Sequence, residues 1–199
     1  MQKSKGLFVA FEGLDGSGNS TQAMLLETYL RKAGRKTILT KEPTTGIIGG
    51  IIKSSLAGEL KISSEATQLL FASDRAQHLK TQIIPALKNG VIIITDRYLF
   101  SSLAYGTASG LDPKWLYEIN RRFLMPDLTF FIDVSPETSI KRISAGRFNF
   151  ELFEKENSLS KVRKEYKKLA KEYNFEKING EGSIEAVHKK VINVIRKYI

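Results

Sequence analysis

The chain has 199 residues, of which 42% are hydrophobic and 26% charged, with no cysteine and a net charge of +10. That length suits a single domain with a full core across residues 1–199, and the missing cysteines exclude disulfides, thiolate nucleophiles and Cys-based zinc sites. No apolar run approaches the ~18 residues that a membrane span needs.

The start, Met1 to Gly6, lacks the pattern of a signal peptide, because the apolar segment that follows ends at Glu12. A cytoplasmic protein is therefore expected. The positive charge is uneven: residues 141–199 hold 15 Lys/Arg against 8 Asp/Glu, whereas residues 1–140 hold 16 against 13. Much of the excess lies along Leu159 to Leu169, where apolar residues recur at three- and four-residue steps. A solvated helix face explains it, attraction to polyphosphate is the alternative, and specific nucleic-acid binding is not expected.

In chain order, Leu7–Phe11 is an apolar run of strand length, and Ser20–Ala33 reads as a helix. Lys36–Thr40 follows as a second strand. A short helix near Ile47–Leu56 precedes a long one near Ser64–Leu87, capped by Ser63 or Ser64 and stopped by Asn89-Gly90. Val91–Thr95 has the nearly continuous apolar character of a strand covered on both faces. A helical region then runs to about Phe123 with a break near Gly106–Pro113. Leu128–Asp133 is the fourth strand, and Pro136 opens the next helix. Ser144 to Phe150 interrupts the helical pattern and reads as a lid, about residues 144–157. Phe175–Ile178 is a fifth strand, and Ser183 caps a last helix that turns Ile184, Val187, Val191, Ile195 and Tyr198 inward. The alternation predicts an α/β fold with a five-stranded parallel sheet flanked by helices.

Between the first strand and first helix stands Gly13-Leu14-Asp15-Gly16-Ser17-Gly18-Asn19-Ser20. It fits the phosphate-binding pattern G-x-x-x-x-G-K-[ST] except at the lysine, where Asn19 stands. Glycines let backbone N–H groups converge on phosphate, and the helix N-terminus adds partial positive charge. The loop thus marks Gly13, Asp15, Gly16, Ser17, Gly18, Asn19, Ser20 and Thr21 as a phosphate cradle. Ligands of open parallel sheets bind beyond the carboxyl ends of the strands, which directs attention to Asp96-Arg97 after Val91–Thr95. Asp96 suits Mg²⁺ held with Ser20, and Arg97 suits a phosphate, although an ion pair or a helix cap explains the same two residues.

The chain resembles the thymidylate kinases, nucleoside-monophosphate kinases that move a phosphoryl group from ATP to dTMP. The resemblance runs almost end to end. It rests on Phe11-Glu12-Gly13-Leu14-Asp15-Gly16-Ser17-Gly18 with Ser20-Thr21-Gln22, on Glu42-Pro43, on Phe71-Ala72-Ser73-Asp74-Arg75, and on Asp96-Arg97-Tyr98 with Ser101 to Tyr105. It implies the nucleoside-monophosphate kinase type of phosphate-loop fold, ATP and dTMP as partners, Mg²⁺ as cofactor and a homodimer. For dTMP it implies stacking on Phe71, a base-edge contact from Arg75, phosphate binding by Arg97, deoxyribose packing by Tyr105, and contacts from Asp15 and Ser101. Arg142 is expected on adenine, and Arg147 in the lid is expected to reach the transferring phosphates. Without the resemblance, Phe71 and Arg75 four apart on a helix also fit a buried ring and a surface cation. Tyr105 equally fits a core residue, Asp15 a turn residue and Arg147 a solvated loop arginine.

Thr44-Thr45-Gly46 and Gly106 depart from common family sequence, leaving Lys41 as one candidate for a second phosphate contact. Asn19 is the departure that touches catalysis, since the loop lysine normally follows charge during phosphoryl transfer. The catalytic set is then Arg97, Asp96, Arg147 and, at the lysine position, Asn19. Phosphorylation of dTMP, slowed at Asn19, is the expected activity, and a nucleotide-binding relative with little or no catalysis is the alternative. His78 and His188 receive no role.

Overall fold

In the computed structural model, which describes residues 6–144 and 152–199, apolar strands and amphipathic helices alternate along the chain. The first half comprises β1 (Phe8–Gly13), α1 (Asn19–Lys32), β2 (Thr37–Lys41), α2 (Ile47–Leu56), α3 (Ser64–His78), a wide π-helical turn (Leu79–Ile83), α4 (Ile84–Lys88) and β3 (Ile92–Asp96). The second comprises α5 (Leu99–Ala108), α6 (Pro113–Asn120), β4 (Leu128–Asp133), α7 (Pro136–Ser144), α8 (Leu152–Glu172), β5 (Glu176–Asn179) and α9 (Ile184–Ile195).

The strands form one five-stranded sheet in the order β2-β3-β1-β4-β5, parallel throughout. Register places Phe11 beside Asp96 on one side and beside Phe130 on the other. Side chains alternate between the two faces, as strand geometry requires. Phe8, Ala10, Ile93 and Phe131 face a core closed by residues of α4, α5, α6 and α8, including Leu87, Phe100, Leu116 and Tyr166. Val9, Phe11, Ile94 and Phe130 face the other core, closed by Leu26 and Leu30 of α1 and Val187 and Val191 of α9. The chain leaves β1 toward β2 and β3 on one flank, and β4 and β5 occupy the other. The crevice at that reversal lies above the carboxyl ends of β1 and β3.

The expected long helix is interrupted by the wide turn at Leu79–Ile83. Pro85, just beyond it, has no N–H for the carbonyl four residues earlier, so a regular α-helical ladder cannot pass through this point. Gly106 does not break α5, which continues to Ala108. A Cβ there would lie 2.8 Å from the buried Leu116 side chain, so close packing of α5 on α6 explains the glycine. Two inward assignments fail: Ile184 is 54% exposed and Tyr198 43% exposed. Ile184 opens α9 at the mouth of a cleft, and Tyr198 lies past the end of that helix. Arg147 and residues 145–151 of the expected lid lie outside the described residues, and from Leu152 the stretch is already α8.

Candidate active site

The loop between β1 and α1 turns on two glycines with left-handed backbone, Gly16 at φ +74° and Gly18 at φ +100°. Side-chain-bearing residues are strained there. A Cβ on Gly16 would also lie 2.8 Å from the Ser139 carbonyl and 2.9 Å from Ile143, because α7 packs directly on the loop. The Ser139 hydroxyl donates to the Asp15 carbonyl.

Asn19 is only 5% exposed and is turned into the base of this loop. Oriented to satisfy its neighbours, its carboxamide donates to the Glu12 carbonyl at 3.2 Å and to Ser17 Oγ at 3.1 Å, and accepts from Gly13 N–H at 3.2 Å. The residue at the lysine position therefore braces the loop against β1. It is a short neutral side chain with its polar atoms already engaged.

Residues Leu14 to Gln22 line a cleft of about 610 Å³ together with Asp96, Arg97, Arg142 and the segment Gly180 to Val187. Among the described residues, Arg97 and Arg142 are the cations on its walls. The Arg142 guanidinium bridges the Ser17 carbonyl at 3.1 Å and the Gly180 carbonyl at 2.8 Å, tying the loop to the segment before α9. The Ser20 hydroxyl donates to Asp96 Oδ2, so the two residues expected at a metal are neighbours.

A second cleft opens beyond Arg97. Its walls include Phe71 and Arg75 from α3, Glu42 and Pro43 after β2, and Ser101, Ser102 and Tyr105 from α5. Lys41 is not on these walls, so Arg75 and Arg97 are the cations there among the described residues. Arg75 is 1% exposed rather than a surface group. It donates from Nε to Glu42 at 2.9 Å and from Nη2 to Ser102 at 3.1 Å, and it also donates to Asn120. Glu42 in turn holds His78 at 3.1 Å. His78 is therefore a structural partner of the Arg75 site, which its position on a helix did not reveal.

Arg97 stands between the two clefts, and among the described residues only it and Asp15 line both. Its backbone has φ +68°, a left-handed conformation costly for arginine and held by hydrogen bonds from Arg97 N–H to the Phe11 carbonyl and from Thr95 Oγ1 to the Arg97 carbonyl. The guanidinium donates to Asp15 at 2.6 Å, to the Gly13 carbonyl and Ser101 Oγ at 3.0 Å each, and lies over the Tyr105 ring at 5.2 Å. Burial by itself opposes the Arg97 cation, but Tyr105, Tyr166, Asp15 and Glu12 around it hold its pKa well above that of a free guanidinium. Burial pushes the Tyr105 hydroxyl up to about 12, which keeps it a neutral partner.

Beneath Arg97 lies Glu12, fully buried on β1. It accepts from the N–H groups of Tyr98 and Ser101, from Ser101 Oγ at 2.6 Å and from Tyr166 OH at 2.9 Å. It thereby anchors the first turn of α5, which carries Ser101. Burial raises its carboxyl from 4.5 to about 7 against those hydrogen bonds. A lone carboxylate inside an apolar strand was the available signal for Glu12, whereas Tyr166, on the basic helix, offered none.

The sites of Asp15, Ser20, Phe71, Arg75, Asp96, Arg97, Ser101, Tyr105 and Arg142 thus fall on two adjoining clefts. His188 lies on α9 with Nδ1 unpartnered and touches neither. A family model described as thymidylate kinase matches residues 11–191. The chain is 41% identical to a probable thymidylate kinase of Thermococcus gammatolerans, over 98% of both chains. It is 43% identical to one of Pyrococcus abyssi, over 96% of this chain and 97% of that one. To one of Methanocaldococcus jannaschii it is 37% identical, over 96% of each. With a loop-bearing parallel sheet, two clefts joined at Arg97 and this extent of similarity, the chain belongs to the thymidylate kinase family.

Proposed function

We propose that this chain transfers the terminal phosphoryl group of ATP to dTMP, giving dTDP and ADP, at a rate limited by Asn19. One observation carries the arrangement: among the described residues, Arg97 and Asp15 are the ones shared by the two clefts. A phosphoryl group passing from donor to acceptor must cross where the clefts join, and Arg97 there offers a planar donor fork. ATP lies along the loop, with the backbone N–H groups of Gly16, Gly18, Asn19 and Ser20 on its phosphates and Arg142 against adenine, while the Asp15 and Ser17 N–H groups donate to Tyr105 and the Leu14 carbonyl. Acceptor dTMP stacks on Phe71, meets Arg75 at the base and Arg97 at the phosphate, and packs its deoxyribose on Tyr105, with Asp15 and Ser101 beside it. The dTMP phosphate attacks in line, and no protein nucleophile is required.

Ser20 and Asp96, already in contact, supply one hydroxyl and one carboxylate. That set suits Mg²⁺, which takes most of its remaining ligands from water and phosphate oxygens. When bound, the ion would neutralise charge on the donor phosphates. Arg147 as the cation for the transferred group, a single domain and a cytoplasmic location belong to the same reading. Among the described residues, no helix is long and apolar enough to cross a membrane. Exposed Ile47, Ile51, Leu56 and Leu69 on the adjoining α2 and α3 support a homodimer.

Asn19 favours a second reading, a nucleotide-binding relative with little turnover, since the engaged carboxamide leaves the loop without its mobile cation. Phosphoryl transfer monitored as dTMP-dependent ADP formation separates the two. The proposed function predicts slow but measurable turnover. Binding of dTMP and an ATP analogue with no ADP formed over hours overturns it.

A further inference from the structure

Most polar side chains on the acceptor cleft are satisfied before any ligand arrives. Arg75, Glu42 and Ser102 satisfy one another, and Asp15, Arg97, Ser101 and Tyr105 do so at the other end. Thr67 and Tyr98 donate to backbone carbonyls of Ser63 and Leu124. Gln68 differs. It is 7% exposed, lines the cleft, and its Oε1 is buried with no hydrogen-bond partner. A buried amide oxygen without a partner is uncommon and marks a group whose partner arrives from elsewhere.

Gln68 precedes Phe71 by three residues and Arg75 by seven, which places all three on one face of α3. It is also the one carboxamide on this cleft among the described residues. Nearby Asn120 is committed to Arg75 and to the Leu116 carbonyl, and Gly106 brings no side chain. An amide presents an acceptor beside a donor, the complement of a ring N–H beside a carbonyl. Resting on the reading of this cleft as the dTMP site, we propose that Gln68 is a specificity residue that hydrogen-bonds the imide edge of the pyrimidine. Oε1 accepts the ring N3–H, and Nε2 donates to an adjacent ring carbonyl. The class recognised is a pyrimidine monophosphate with a protonated N3, and the 5-methyl group plays no part in this contact.

The test compares binding of dTMP and of its N3-methyl derivative to the unaltered chain, Gln68→Ala and Gln68→Leu by calorimetry. N3-methylation removes the donated proton, and Gln68→Ala removes its acceptor while leaving room for the methyl group. The expected result is weaker dTMP binding in both variants by roughly 3- to 10-fold, the size of one neutral hydrogen bond. The preference for dTMP over the N3-methyl derivative shrinks correspondingly in Gln68→Ala, and ATP-analogue binding stays unchanged as the check on folding. Undiminished preference in Gln68→Ala, with dTMP still bound, overturns the role of Gln68 alone. Failure of the unaltered chain to bind dTMP overturns the functional reading and this contact together.

Discussion

The proposed donor cleft is shaped by a loop that turns on Gly16 and Gly18, with one neutral carboxamide holding the loop to β1. The acceptor cleft is walled by charged and hydrogen-bonded side chains, Arg75 buried with Glu42 and His78, and Arg97 paired with the exposed Asp15 and with Tyr105. The difference teaches where each cleft is vulnerable. Backbone donors persist through side-chain replacement as long as the turn is kept, which explains how a loop with Asn19 retains the shape of a phosphate cradle. A buried ion pair does not tolerate truncation of one partner, because the other charge is left in a poor solvent.

The largest effect that sharpens this contrast is expected for Arg75→Ala. Removing the guanidinium leaves Glu42 buried without its cation and costs about 3–5 kcal/mol of stability. Urea unfolding measures it, and a loss under 1 kcal/mol contradicts a charge-built acceptor wall. Bound at a temperature where the variant is folded, dTMP affinity falls while ATP-analogue affinity holds.

Next in size is the pH dependence set by Glu12, which sits under both clefts. Its folded pKa of about 7 lies above the ordinary 4.5, so the folded state holds the proton more tightly than the unfolded chain. Its contribution to stability is fully present below about pH 4.5 and is lost as pH rises through 7, by roughly 3 kcal/mol at most. Denaturation midpoints between pH 5 and 8 should fall in the unaltered protein, and Glu12→Gln should remove that part of the slope. Equal slopes in the two proteins contradict the assignment.

The smallest effect tests the donor side through its turn. Gly16→Ala places a methyl group against Ser139 and Ile143 in a left-handed backbone, at a cost of about 1–3 kcal/mol. ATP-analogue binding should weaken with dTMP binding spared. Equal losses for both ligands would show that the clefts are not built independently.

The strands were legible because buried apolar runs and glycine or asparagine stops repeat along the chain, and most of their bounds moved by one residue. The wide turn at Leu79–Ile83 was not, since it depends on where the helix must pack before Pro85. In the site, the glycine loop, Asp96-Arg97 and the Phe71/Arg75 pair stand at telling spacings. The reach of Glu12 to Tyr166, 154 positions apart, and of Glu42 to His78 exists only once the sheet and helices are assembled. The inward placement of Asn19 was equally hidden. Spacing shows what stands at the lysine position, whereas its direction depends on carbonyls and hydroxyls that converge in the folded loop.

Steady-state dTMP phosphorylation by the unaltered chain and by Asn19→Lys, measured side by side, tests the central claim most directly. A missing preorganised charge typically removes ~10²–10³ in turnover. The account predicts dTMP-dependent ADP formation by both proteins, at least about 10-fold faster with lysine at position 19 and with little change in the dTMP KM. No dTMP-dependent ADP formation by either protein, or equal turnover by both, would contradict it.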